Sequence, residues 1–207
     1  MTTILFDVDG VLIHGYHAKP EFRKCWDEHL EADLQIKGDD FKRVFIRDAF
    51  KREVLTGKKP LYEALQEVLP QIGYRDDPQI LIDYWMERDA NVNHELLEHV
   101  ERLSQHPEVA LYIASNQEHV RANYLMGEVG FKKYFKDIFY AARLGALKPT
   151  ERFFAEIERL LPVHKEEIIF FDDSQEVVNA ATEFGWEAQQ FDTVEDLFKS
   201  SKVQSLL

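Results

Sequence analysis

Four short apolar runs, at positions 3–6, 109–114, 138–141 and 168–171, punctuate the chain, and helical-looking segments separate the last three. Continuous apolar runs of this length suit strands covered on both faces. Alternation with helices over 117–126, 150–161 and 174–184 predicts βα units in a largely parallel sheet. A last strand over 187–190 and a helix over 193–200 complete the pattern.

The stretch 16–93 is different: it contains no strand pattern but four amphipathic segments, at 20–30, 39–55, 60–69 and 78–88. Pro60 and Pro78 stand where a first helical turn accepts proline, and Gly57, Gly73 and Asp76-Asp77 punctuate the joins. The expected fold is α/β: a doubly wound, Rossmann-like parallel sheet core formed by 1–15 and 94–207, with a small α-helical cap, 16–93, inserted after the first strand. In such sheets ligands bind beyond the carboxyl ends of the strands. An insert rooted at that edge either works as a lid or only adds stability.

Charge narrows the partners. The 207 residues carry 25 basic and 38 acidic side chains, a net charge of −13, which argues against nucleic-acid binding through a broad basic face. An anionic ligand would need local positive charge from a metal, a lysine or helix N-termini. No apolar stretch approaches the roughly 20 residues that span a bilayer, and Met1-Thr2-Thr3 leads into a strand without a basic and apolar leader. A cytoplasmic protein, monomeric or homodimeric, with no membrane partner is expected. Cys25 is the only cysteine, so no disulfide forms within the chain, and it is expected as a small apolar filler.

The candidate chemistry falls at the strand ends. Asp7-Val8-Asp9-Gly10 follows the first apolar run. Two carboxylates there repel and lose hydration unless a cation or a shared proton offsets them, although Asp-Gly after an apolar run also makes an ordinary turn. In extended chain Asp7 and Asp9 point the same way while Val8 packs inward, so one acid could attack and the other move a proton. Ser115-Asn116 end the second run and offer a hydroxyl, an amide and backbone N–H groups to phosphate oxygens, or simply cap a helix. Lys148, before Pro149 and a helix from Thr150, can hold its ammonium over the same edge. Asp172-Asp173-Ser174 close the fourth run, so a second acidic pair recurs on a second strand, an oxygen-rich set suited to Mg²⁺.

In order and type, Asp7-Val8-Asp9-Gly10-Val11-Leu12, Ser115-Asn116, Lys148-Pro149 and Phe171-Asp172-Asp173-Ser174 resemble the motifs of the haloacid dehalogenase-like hydrolases, mostly Mg²⁺-dependent phosphatases. The insert looks like the helical cap of the subgroup containing sugar-phosphate phosphatases and β-phosphoglucomutase. About thirty residues separate Ser115 from Lys148, too few for a large second cap. The resemblance implies Asp7 as nucleophile forming an aspartyl-phosphate, and Asp9 as general acid and base. It further implies Mg²⁺ held by Asp7, the Asp9 backbone carbonyl, Asp173 and Asp172, the last directly or through water. Ser115 and the Asn116 backbone would bind phosphoryl oxygens, and Lys148 would offset charge. Haloacid dehalogenases lack an acid at the Asp9 position, so the implied substrate is a small phosphomonoester, of sugar phosphate or nucleotide type. A phosphomutase and a non-catalytic, partner-binding member are the alternatives.

Specificity belongs to the insert and the loop after the first motif. His14, Tyr16 and His17 follow the nucleophile, and Arg23, Arg47 and Lys51 are cations of the insert. The two histidines are expected as polar surface or loop groups, since a hard Mg²⁺ site favours oxygen. Trp26, Tyr84 and Trp85 are expected to pack the insert, and Phe131, Tyr134, Phe135, Phe139 and Tyr140 the core.

Overall fold

The computed structural model describes residues 2–161 and 163–207. Five strands, β1 (Thr2–Phe6), β2 (Val109–Ser115), β3 (Asp137–Tyr140), β4 (Ile168–Asp172) and β5 (Glu187–Gln190), form one parallel sheet in the order β3-β2-β1-β4-β5. All five coincide with the expected runs to within a residue or so. Their side chains alternate between faces: Ile4, Phe6, Ile169 and Phe171 join one apolar cluster, Leu5, Ile168 and Phe170 the other. Both faces are therefore dry, which is why the runs read as continuous rather than alternating. Strand order reverses at β1, so the ends of β1, β2 and β4 surround one crevice.

The helices are α1 (Leu30–Leu34), α2 (Gly38–Phe41), α3 (Leu61–Val68), α4 (Pro78–Arg88), α5 (His94–Gln105), α6 (His119–Met126), α7 (Ala141–Leu144), α8 (Glu151–Leu160), α9 (Gln175–Phe184) and α10 (Ser201–Gln204). α2 runs on through Lys42–Val54 in wider π-helical turns, which end with Leu55 N donating to Phe50 O at 2.8 Å. The helix expected at 193–200 is a tighter 3₁₀ segment, Val194–Lys199.

Two local expectations change. Segment 20–30 carries Phe22, Trp26 and Leu30 at helical spacing, yet it forms only a short 3₁₀ turn, Pro20–Phe22. Arg23 turns extended there, Lys24 N bonds back to Gly15 O at 2.8 Å, and Phe22 is left exposed. Cys25 is likewise exposed, not a filler. Conversely α5 was not among the expected helices, although Asn93 caps it through Leu96 N and Leu96, Val100 and Leu103 are its buried face.

The insert gathers its own apolar cluster, which includes Leu30, Phe41, Phe45, Leu65, Leu81 and Trp85. Trp26 stacks on Trp85 with ring centroids 4.8 Å apart, and Tyr84 donates to Asp33 at 2.9 Å, so these aromatics pack the insert as expected. Phe131, Phe135 and Phe139 are buried in the core. The two chain passages joining insert to sheet lie antiparallel: Ile13 bridges Val92, His14 N donates to Asn91 O at 2.7 Å, and Asn93 N donates to Leu12 O at 2.9 Å. Among the described residues no helix is long and apolar enough to cross a membrane.

Candidate active site

Asp7 directly follows β1, and its N–H still pairs with Phe171 O at 2.9 Å, so its side chain is delivered at the edge of the ladder. Beside it, β4 delivers Asp172. The Lys148 ammonium lies between them, 2.8 Å from Asp7 Oδ1 and 2.6 Å from Asp172 Oδ2, and also donates to Ala114 O at 3.2 Å. Three separate segments thus converge on one buried cation, whose residue is only 6% exposed. Asp173 completes the group: oxygens of Asp7, Asp172 and Asp173 lie within 4.8 Å of one another.

The Asn116 side chain sets where Lys148 sits. Its Oδ1 accepts from Lys148 N at 2.8 Å and its Nδ2 donates to Lys148 O at 3.1 Å, a reciprocal clamp on the backbone of one residue. The predicted phosphate-binding residue therefore spends its amide on positioning, and only its backbone is left for the role the resemblance implies. The Lys148-Pro149 peptide is cis, and α8 begins at Glu151 after Thr150. Ser115 is buried at the end of β2, its Oγ 3.3 Å from Gln117 Nε2.

Asp173 is held from the other side. Ala18 N donates to its Oδ2 at 2.5 Å, and His17 Nδ1 stands 3.3 Å from the same oxygen. Lys19 N donates to that Nδ1 at 3.0 Å, so Nδ1 is an acceptor and His17 does not hydrogen-bond Asp173 through it. His17 is a loop group, as one of the two expected settings had it, but a buried one, because the loop after Gly10 folds down over the strand ends. His14 and Tyr16 are exposed. Arg47 and Lys51 are exposed on the insert, and Arg23 packs over Tyr16 and donates to His17 O at 2.7 Å. A cleft of about 830 Å³ lies in the insert around Arg23, Cys25, Asp27 and Lys42, and its lining includes none of the strand-end residues.

Asp9 stands apart from this trio. Its Oδ1 accepts from Arg121 at 2.9 Å and its Oδ2 from Gln117 Nε2 at 2.6 Å. Neither partner stood out in the sequence. The available signal was polar, Gln117 directly after Ser115-Asn116 and Arg121 four residues on, and it gains meaning only when β2 brings it beside β1.

The electrostatics report uncompensated negative charge. Burial pushes Asp7 up to about 7, against the pull of Lys148, and pushes Asp173 up to about 7 with Asp7 adding to it. Asp172 is raised by burial as well. For Lys148 burial works downward, but Asp172 and Asp7 outweigh it and raise the ammonium's pKa. Fully ionised, three carboxylates face one ammonium, and an all-oxygen donor set with two surplus negative charges fits a hard divalent cation.

An α/β fold with paired acids at the carboxyl ends of two adjacent strands, and a lysine between them, defines a class of hydrolase scaffold. The family model of the haloacid dehalogenase-like hydrolases matches residues 1–185, and the chain belongs to that family. Solved structures share the fold. A predicted HAD-like family hydrolase from Porphyromonas gingivalis superposes with a TM-score of 0.75 at 21% identity, over 99% of this chain and 98% of that one. A HAD family enzyme from Bacteroides thetaiotaomicron, in complex with magnesium and inorganic phosphate, gives 0.73 at 17% identity, over 92% and 93%. An L-2-haloacid dehalogenase from Xanthobacter autotrophicus, with chloropropionic acid covalently bound, gives 0.63 at 17% identity, over 100% and 84%. Curated proteins searched by sequence gave no match.

Proposed function

We propose that the protein is a Mg²⁺-dependent phosphatase of small phosphomonoesters. The observation that carries this reading is Lys148 bridging Asp7 and Asp172 beside Asp173, with a further carboxylate, Asp9, two residues past the nucleophile. In this reading Asp7 attacks phosphorus and forms an aspartyl-phosphate while the ester oxygen leaves, and water then hydrolyses the acyl phosphate. Asp9 gives a proton to the leaving alkoxide and takes one from the hydrolytic water. Asp7, Asp173, the Asp9 backbone carbonyl and Asp172 would hold Mg²⁺, with Asp172 already oriented by Lys148 and by Ser174 N at 2.9 Å. The ion supplies charge neutralisation between an anionic nucleophile and an anionic ester. Ser115 and the Asn116 backbone receive phosphoryl oxygens, and Lys148 holds the Asp7 carboxylate against its neighbours. Asp9 separates this reading from carbon–halogen cleavage, in which no alkoxide needs a proton. The magnesium and phosphate complex of the Bacteroides enzyme, on the same fold, supports the same choice.

Segment 16–93 is the cap of this enzyme, and its partner is a small phosphorylated metabolite met in the cytoplasm by a monomer or homodimer. The test is phosphate release from a panel of sugar phosphates and nucleotides, with Mg²⁺ or EDTA, for the natural chain and Asp7→Asn. Turnover with Mg²⁺ alone, abolished in Asp7→Asn, is expected. Metal-independent turnover, or an unimpaired Asp7→Asn, would sink the mechanism. Isomerised product with little free phosphate would make the protein a mutase, and no turnover across the panel would favour a binding role.

A further inference from the structure

Arg121 is the buried cation that the proposed chemistry does not use. Only 4% exposed, it sits in the first turn of α6, where Glu118 caps the helix by accepting from Val120 N and Arg121 N at 2.7 and 2.6 Å. Its guanidinium forks: Nη2 donates to Asp9 Oδ1 at 2.9 Å and to Asp89 O at 3.0 Å, and Nη1 pairs with Asp89 Oδ2 at 2.7 Å. Asp89 belongs to the return passage from the insert, directly after α4, and its carboxylate lies so close to the outgoing passage that a Cβ on Gly15 would come within 2.8 Å of Oδ1. Trp85 Nε1, from the aromatic cluster of the insert, donates at 3.2 Å to Asp89 Oδ2, the oxygen that Arg121 Nη1 also holds. A planar fork with several donors in fixed directions is suited to tying two carboxylates to one frame, and a lysine is not.

We propose that Arg121 is a positioning residue that holds the Asp9 carboxylate as an acceptor for the proton of the hydrolytic water, in register with the chain crossing at Asp89. The inference rests on the phosphatase reading of the site. Arginine has only donors, and Gln117 Nε2 donates to the second Asp9 oxygen, so both oxygens are arranged to accept. That is the form a base requires, and the geometry therefore serves the second half-reaction: water loses a proton to Asp9 as its oxygen bonds to phosphorus and the Asp7–phosphorus bond breaks.

Pre-steady-state kinetics with p-nitrophenyl phosphate and Mg²⁺ test this, because nitrophenolate leaves without a proton and the first half-reaction needs little help from Asp9. Arg121→Gln is expected to release about one nitrophenolate per chain in a rapid burst, then to turn over at least tenfold more slowly than the natural chain. KM should not rise. Arg121→Lys, which keeps charge but not the fork, should recover part of the steady rate, and Asp89→Asn should show a smaller loss of the same kind. Burst and steady rates falling in proportion in Arg121→Lys and Asp89→Asn, or unchanged in both, would overturn the positioning role, and these two milder variants carry the test should Arg121→Gln fail to fold. A natural chain that releases no nitrophenolate would instead overturn the phosphatase reading, and the inference with it.

Discussion

Gly10 shows how tightly one residue can be constrained by the chemistry beside it. Its φ is +80°, and a Cβ there would overlap the Asp173 carboxylate. Gly10→Ala is expected to cost about 1–3 kcal/mol in urea denaturation, from backbone strain and the displaced acid together. Titration of Mg²⁺ by calorimetry should show weaker binding in the same variant. Protonation is the second property set at this scale. Asp7 and Asp173 stand near 7 in the folded protein against 3.8 ordinarily, and Asp89, raised by burial against the pull of Arg121, also reaches about 7. Between those values the folded state holds protons that the unfolded chain has released, so the metal-free protein loses stability as pH rises from about 4 through 7. Melting in EDTA should therefore occur at a lower temperature at pH 8 than at pH 5.5. Added Mg²⁺ should raise the midpoint more at pH 8, where the ligands are already ionised. An EDTA melting point that climbs across this range would contradict the burial of these acids.

At the scale of elements, the site is an alignment of strand ends, and what joins them is as informative as what they carry. β1, β2 and β4 deliver Asp7, Ser115 and Asp172, but Lys148 arrives on a connection and owes its place to Asn116. Asn116→Ala leaves both backbone groups of Lys148 without their partner. A cost of about 1–3 kcal/mol in stability is expected, with kcat reduced about tenfold or more as the ammonium loosens. A variant that lost stability with kcat intact would show that Asp7, Asp172 and Ala114 O hold the Lys148 ammonium without help from Asn116. Within the insert, Trp85 packs on Trp26 and Phe50 and donates to Asp89, so Trp85→Ala should lower stability by about 3–5 kcal/mol, read from the denaturation midpoint.

For the whole molecule the net charge of −13 opposes any anionic substrate, while Lys148 and Arg121, both buried, are each paired with two carboxylates. The long-range field is therefore repulsive. Raising ionic strength from about 0.01 to 0.1 M shortens the screening length about threefold and should increase kcat/KM for a phosphomonoester. A fall in kcat/KM over that range, at saturating Mg²⁺, would mean that a local positive field steers the substrate instead.

The sheet was legible because its central strands β1, β2 and β4 are buried on both faces and so write continuous apolar runs, and because acids at the end of such a run are conspicuous. Asp7, Asp9, Ser115, Lys148, Asp172 and Asp173 stood out at those strand ends, and the structure pairs Lys148 with Asp7 and Asp172 and brings oxygens of Asp7, Asp172 and Asp173 within 4.8 Å of one another. The 20–30 segment misled because helical spacing says nothing of whether a partner surface exists, and Phe22 and Cys25 face solvent. Asp89 and the burial of His17 could not be read at all, and Arg121 and Gln117 showed only as polar residues following Ser115-Asn116. Their roles depend on contacts between residues far apart in the chain, 112 positions for Arg121 and Asp9 and 108 for Gln117 and Asp9. Periodicity and local chemistry act over a few residues, and so the chain by itself determined which strands form and what their ends carry. Which polar groups then face one another, and which are left without water, is a property of packed surfaces that exists only once the sheet has closed.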